Sequence, residues 1–422
     1  MKIHEIYTDI LREELKPAMG CTEPIAIAYA ASILRDALGA VPNRIQLQLS
    51  GNIIKNVKSV IMPATGGMHG IPAAVAAGIV ANAPQKQLEV LTVLTNADIA
   101  SISATIETCE ISVSELETDK PFEVKITGVC GSNSAVVHLA DRHTHIVSVV
   151  KNSEDITARY ANEEITELED AANRSVLNVA DIVEYAKTVP LDMVYPLIKR
   201  QIDMNIAIAY EGVSKDYGAS IGRLLYKNGN CSIQDKARAL AAAGSDARMS
   251  GCEMPVCILS GSGNQGMCAS VPVIVYAREQ GASEEDLIRA LLVADLITIH
   301  QKTGIGCLSA YCGAISAGCG CACGISFLNG GGFHEIAHTL VNSVAILSGT
   351  ICDGAKPSCA AKIAMAVEAG IIGYEMMKAG KEFVGGDGIV TKGVENTIRN
   401  VGRLARQGMS ETDREIIKIM LN

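Results

Sequence analysis

The spacing of apolar residues changes twice along the chain. Ile6, Ile10, Leu11 and Leu15 recur at three- to four-residue intervals and stop at Lys16-Pro17; a second helical stripe starts near Thr22 and runs through Ile25, Ile27, Ala28, Ala31 and Leu34. The period then drops to two. Ile45 to Ser50 alternates apolar and polar, and Leu88 to Thr95, Phe122 to Thr127 and Ala135 to Val150 read as further strands, with an alanine-rich helix over Ile71 to Ala81 among them. From about Ser153 the signal is helical again: Glu163 to Leu177, Val179 to Ala186, Met193 to Tyr210, Gln234 to Ala243, Glu284 to His300 and Cys359 to Met377 all carry i, i+3/i+4 spacing. Glycine loops punctuate this half at Ser260 to Gly266, Asn329 to Gly332 and Gly385 to Gly388, where backbone N–H groups can approach a ligand. The pattern predicts an α+β fold: N-terminal helices (1–42) packing on a mainly helical domain (153–422), with an α+β domain (43–152) inserted between them.

Composition narrows the classes. At 422 residues and 48% hydrophobic, the chain can bury one large core or two to three ordinary ones. With 36 basic against 46 acidic residues and no Lys/Arg cluster interleaved with aromatics, nucleic acid is set aside as a partner. No uninterrupted apolar run reaches the roughly 18 residues of a membrane span. Met1-Lys2-Ile3-His4-Glu5 lacks the basic start and apolar core of a secretory leader, so a cytoplasmic location with reduced cysteines is expected. The expected partner is a small molecule, and the expected assembly a homo-oligomer, a homodimer.

Cysteine is the residue that points to chemistry. Ten of the 14 fall between Cys252 and Cys359. Cys307, Cys312, Cys319, Cys321 and Cys323 are followed by a C-x6-C pair, Cys352 and Cys359, in a Gly/Pro loop, and soft thiolates of this kind select zinc or an iron-sulfur cluster. On one helix, Cys312, Cys319 and Cys323 would share a face but span more than ten residues at about 1.5 Å each, too far for one cubane without a chain reversal. One cysteine from this stretch and two from the Cys352/Cys359 loop make a better set, leaving Cys319, Cys321 and Cys323 open to a packing role.

Three other constellations compete. Cys21 precedes a helix capped by Thr22 with Pro24 in its first turn, a position that favours a thiolate by only about 0.3 to 1 kcal/mol, less than one pKa unit. His334-Glu335-Ile336-Ala337-His338 matches the zinc-peptidase pattern H-E-x-x-H, but no third ligand follows at a suitable distance. Ser262-Gly263-Asn264-Gln265-Gly266 resembles the substrate-carboxylate loop of pyridoxal-phosphate-dependent β-eliminating enzymes, yet no lysine upstream stands in a Schiff-base setting.

Taken in order, Gly20-Cys21-Thr22-Glu23-Pro24, Thr65-Gly66-Gly67-Met68-His69-Gly70, Ser260 to Gly266, Tyr311-Cys312-Gly313-Ala314 and Cys352-Asp353-Gly354 with Cys359 resemble the L-cysteine desulfidase family, relatives of the iron-sulfur L-serine dehydratase α subunit. The resemblance runs over essentially the whole chain. It implies a [4Fe-4S] cluster held by three cysteines with one open iron; by motif position these are Cys312, Cys352 and Cys359. It further implies Cys21 as the base that removes the substrate's α-proton, or as a resting ligand of the open iron, and His69 as a secondary candidate for proton transfer. Ser260, Ser262, Asn264 and Gln265 are the expected substrate-binding residues. The implied reaction is β-elimination of L-cysteine to pyruvate, ammonia and sulfide. L-Serine dehydration by the same chemistry and a cluster-bearing redox sensor remain as alternatives, with a zinc peptidase behind them.

Overall fold

The computed structural model describes residues 3–160, 172–306 and 308–421. The chain opens with α1 (Ile3–Glu14), a short β1 (Pro17–Met19) and α2 (Thr22–Leu38), continues through β2 (Arg44–Leu49), α3 (Gly51–Val57), α4 (Gly70–Ala81), α5 (Ile99–Thr108) and β3 (Glu110–Glu115), and then meanders through β4 (Glu123–Cys130), β5 (Asn133–Ala140), β6 (Ile146–Lys151) and β7 (Glu154–Asp155). The second half runs α6 (Val179–Thr188), α7 (Tyr195–Ser214), α8 (Ile221–Tyr226), α9 (Ile233–Met249), β8 (Pro255–Cys257), α10 (Gly263–Gln280), α11 (Glu284–Ile305), α12 (Gly313–Leu328), α13 (Phe333–Leu347), α14 (Cys359–Lys378), α15 (Val394–Arg403) and α16 (Ser410–Leu421). The fold is α+β and mostly helical. Among the described residues no helix is long and apolar enough to cross a membrane.

Alternation decides how the sheet sits. Its order is β3-β2-β4-β5-β6-β7, parallel between β2 and β3 and antiparallel elsewhere. In β2, Ile45, Leu47 and Leu49 point into the core while Arg44 and Gln46 face out. The buried face receives α2, and the fit is close: a Cβ at Gly128 would lie 2.7 Å from the Leu34 side chain. On another side α2 meets α4, where a Cβ at Gly78 would lie 2.1 Å from the Ala28 carbonyl. Because α2 is enclosed nearly all round, its N-terminus at Cys21 has a fixed position.

One expected strand is absent. Leu88 to Thr95 belongs to a series of 3₁₀ turns over Pro84–Val93, with the backbone reversed at Gln87 (φ 48°). Leu88, Val90 and Leu91 are buried there, so the i, i+2 spacing that suggests a strand comes from tight turns instead. Of the helix expected over Glu163 to Leu177, residues 163–171 lie outside the described residues, and Arg174–Val176 form a single 3₁₀ turn. Cys307 also lies outside them.

The cysteine-rich helix α12 packs backbone to backbone. A Cβ at Gly318 would lie 2.4 Å from the Ala366 carbonyl of α14, and one at Gly320 would lie 2.5 Å from the Ala294 carbonyl of α11. Cys319, Cys321 and Cys323 fill the slots between these glycines, fully buried, and burial holds all three thiols protonated. They are small packing residues of a helix pressed from several sides.

Asp295 of α11 is also wholly buried. Its Oδ1 accepts from Gln201 Nε2 at 2.9 Å, Oδ2 has no partner, and burial raises its pKa from 3.8 to about 7. The folded protein therefore keeps this proton while the unfolded chain releases it at ordinary carboxylate pH, so the stability contributed by the neutral acid is complete at low pH and is lost as pH rises through 7. Asp295→Asn is expected to match the wild type near pH 5 and exceed it at pH 8, by up to about 3 kcal/mol at roughly 1.36 kcal/mol per pKa unit. Melting temperatures of the two proteins at both pH values check this; a difference independent of pH contradicts it.

Candidate active site

Four helices begin around one cavity of about 100 Å³. Cys21 is the N-cap of α2, Ser262 of α10 and Cys312 of α12, and Cys359 is the first residue of α14; all four side chains line the cavity. Helix N-termini carry partial positive charge and free N–H groups, and Arg248 and Lys302 add cationic side chains, as do Lys55 and Lys362, which are ion-paired to Asp413 and Asp353. Among the described lining residues Glu23 is the one carboxylate. The cavity is built for anions.

The two halves of the chain meet here through short pairings. β1 pairs antiparallel with β8, Ala18 opposite Val256, which carries the N-terminal segment onto the loop before α10. Thr22 Oγ1 lies 2.8 Å from the Gly261 carbonyl and secures the contact. Gly20 (φ +70°) lies against Pro63, where a Cβ would approach to 2.7 Å, so the loop that leads to His69 props the Cys21 turn from behind. On the far side, Cys312 N–H donates to the Thr350 carbonyl (2.9 Å) and Cys352 N–H to the Ala310 carbonyl (2.6 Å). That ladder sets Cys312 beside Cys352.

The thiols then differ by surroundings. Cys312 and Cys352 interact directly, which drives their pKa values apart: that of Cys312 rises, while that of Cys352 falls to about 6, chiefly because the Cys312 thiol donates to it, with Lys55 and Lys362 adding to that pull against burial. Cys359 is held protonated by burial. Gly354 (φ +95°) lets the intervening loop press on α3, where a Cβ would lie 2.4 Å from the Lys55 carbonyl. Lys55 itself, almost wholly buried, pairs with Asp413 of α16 at 2.6 Å and donates to the Cys352 carbonyl at 3.3 Å.

Three soft donors on the rim of an electropositive cavity fit an iron-sulfur cluster. Among the described residues no three His, Cys, Asp or Glu side chains converge to hold a single metal ion. A cubane does not need such a point, because each cysteine binds a separate iron.

Cys21 lines the same cavity. Its Sγ donates to Glu23 Oε2 at 3.2 Å, Thr22 Oγ1 is 3.0 Å from the same oxygen, and Asn56 Nδ2 donates to Oε1 at 3.2 Å. Burial and the Glu23 carboxylate push the Cys21 thiol well above its ordinary pKa, with Arg248 pulling the other way. The thiolate favoured by the helix N-terminus alone is therefore not the resting form. A helix effect of under about 1 kcal/mol loses to desolvation and an adjacent anion.

The structure brings Cys21, Ser260, Ser262, Asn264, Gln265, Cys312, Cys352 and Cys359 to this one cavity. His69 is elsewhere: it is the N-cap of α4, exposed, and does not line the cavity. His334 and His338 are on α13, where Glu335 accepts from the Gly332 N–H at 2.9 Å as a helix cap and His338 pairs with Glu382. Two functional candidates were not expected. His143, in the turn between β5 and β6, reaches the cavity with a buried, unpartnered Nε2, and its pKa is lowered by burial and by Arg248 against the pull of Glu23. Arg248 closes α9. The one signal for it is a charged residue in the otherwise small and apolar run Ala239 to Met249, which also holds Asp246. His143 also borders a second cavity of about 400 Å³ that adjoins the first along Ser260, Gly261 and Lys302.

Comparison with known proteins gives one family. The profile described as "Serine dehydratase alpha chain" matches residues 85–418. Among curated proteins, a UPF0597 protein of Desulfitobacterium hafniense (strain Y51) is 52% identical over 421 residues, covering 100% of this chain and 97% of the relative. UPF0597 proteins of Treponema denticola and Lachnoclostridium phytofermentans are 45% and 44% identical, covering 99% and 98% of this chain and 98% and 99% of those relatives.

Proposed function

Since the chain belongs to the serine dehydratase alpha chain family and is a dehydratase-like lyase, we propose that it is an iron-sulfur-dependent L-cysteine desulfidase, eliminating sulfide from L-cysteine. The observation that carries this reading is that Cys21, the Ser260 to Gln265 loop and Cys312, Cys352 and Cys359, from both ends of the sequence, line a single electropositive cavity. In it, Cys312, Cys352 and Cys359 would hold a [4Fe-4S] cluster, which would supply a Lewis-acidic iron for the departing sulfur. Lys55 and Lys362 balance the charge of the ligating sulfurs.

The residues around Cys21 handle the proton. Glu23 Oε2 receives the Cys21 thiol proton along their hydrogen bond, and the thiolate so formed removes the α-proton of the substrate. Asn56 and Thr22 hold Glu23 in position for that exchange. The N-terminus of α10, with Ser262, Asn264 and Gln265, receives the carboxylate. Loss of sulfide leaves aminoacrylate, which tautomerises and hydrolyses to pyruvate and ammonia. In domain terms, 1–42 and 153–422 form the catalytic unit, and 43–152 is the insertion that lends it Lys55, Asn56 and His143.

Cysteine is chosen over serine because a thiolate leaving group matches a soft iron better than a hydroxyl does. The family's description names serine, so the two are compared directly. With anaerobically prepared protein, kcat/KM for L-cysteine is expected to exceed that for L-serine by at least about tenfold, a discrimination of roughly 1.4 kcal/mol. Faster turnover of L-serine overturns the substrate assignment.

A further inference from the structure

Arg248 is a buried cation whose Nε has no partner among the described residues. It is among the largest fully buried side chains, at 2% exposure. No carboxylate among the described residues is ion-paired to it. An arginine cannot shed its charge, so a buried guanidinium needs an anion supplied from somewhere.

The surroundings say where that anion sits. Arg248 lines the cavity beside Cys21, Glu23 and His143. Room for the guanidinium exists because residue 263 has no side chain: a Cβ there would lie 2.5 Å from Nε and 2.9 Å from Cζ. Gly263 is also the first residue of α10, so the positive end of that helix faces the same space. The single carboxylate at hand, Glu23, already accepts from Cys21 and Asn56, with Thr22 within reach. Asn264 Oδ1 and Gln265 Oε1, beside Gly263, are likewise buried and unpartnered.

We propose that Arg248 is the anchor for the α-carboxylate of the amino-acid substrate, with the α10 N-terminus as its second donor. This rests on the reading of the cavity as an amino-acid site and names the residue that selects the class. A planar guanidinium grips a carboxylate with two parallel N–H bonds, which fixes orientation as well as charge. The loop over Ser260 to Gly266 is then the wall against which Arg248 holds the ligand.

Titration calorimetry on the anaerobically prepared protein tests this with ligands that cannot react. L-Alanine carries the carboxylate and ammonium, propionate only the carboxylate, and ethylamine only the ammonium. L-Alanine and propionate are expected to bind and ethylamine not. Arg248→Gln should weaken both carboxylates by about 100-fold, with Arg248→Lys intermediate. In turnover, Arg248→Gln should raise KM for L-cysteine far more than it lowers kcat. Should Arg248→Gln fail to fold, Gly263→Ala carries the test, since it crowds the guanidinium while keeping its charge and is expected to weaken propionate.

A wild type that binds neither carboxylate overturns the anchor, as does unchanged propionate affinity in Arg248→Gln or, in its place, Gly263→Ala. If propionate binds through Arg248 but neither L-cysteine nor L-serine is consumed, the elimination reading falls and the anchor stands. If L-cysteine is desulfurised with the same KM by wild type and Arg248→Gln, the anchor falls and the elimination reading stands.

Discussion

Cys352→Ser is expected to leave the protein without iron, from about four atoms per chain to none measurable. Cys352 is the cavity thiol whose pKa is lowered, because the Cys312 thiol donates to it and Lys55 and Lys362 stand beside it. A serine hydroxyl in the same place stays protonated and offers a hard, neutral oxygen to a soft iron. Cys312→Ser and Cys359→Ser remove the other two donors and should have the same result. Cys319→Ala, Cys321→Ala and Cys323→Ala, by contrast, should keep their iron, because these thiols are sealed among the glycines of α12 and do not line the cavity. Iron analysis and the visible absorption of anaerobically prepared variants distinguish the two groups. Iron lost in Cys321→Ala and retained in Cys359→Ser contradicts the ligand assignment.

Cys21→Ala is expected to keep its iron and to lose L-cysteine elimination by roughly 10² to 10⁴-fold, the range for removal of a positioned acid-base group. The expectation follows from the Cys21–Glu23 hydrogen bond in the cavity that the cluster cysteines line. Glu23 can take the thiol proton, but alanine leaves no group between Glu23 and the substrate. Exchange of the α-hydrogen in deuterated solvent should disappear in parallel with turnover. Full exchange and full sulfide release in Cys21→Ala would make Cys21 a packing residue and leave His143 or Glu23 as the base.

What could be read from the sequence was whatever a short window encodes. The alternation of Ile45, Leu47 and Leu49 and the long stripe of α11 are local, and both match the structure. Leu88 to Leu91 misleads because consecutive tight turns bury the same i, i+2 positions as a strand. The start of α10 at Gly263 is hidden by its glycines and by Pro272 inside the helix. β1 and β8 are three residues each, too short to show any period, yet their pairing is what carries Cys21 to the Ser260 loop.

The site divides the same way. The cysteines stand out by residue type and motif. Arg248, His143 and Lys55 matter only through what packs around them: Arg248 through the missing side chain at Gly263, His143 through a turn that reaches across from the sheet, and Lys55 through a salt bridge to α16. None of these neighbours is close in sequence. No periodicity or spacing could reveal them.

The measurement that bears most directly on the account is the iron and acid-labile sulfide content of protein purified without oxygen, taken with its activity before and after exposure to air. The expected result is about four of each per chain, no pyridoxal phosphate, no stoichiometric zinc, and L-cysteine elimination that vanishes as air bleaches the cluster. Stoichiometric zinc without iron, or elimination that survives complete loss of iron, contradicts it.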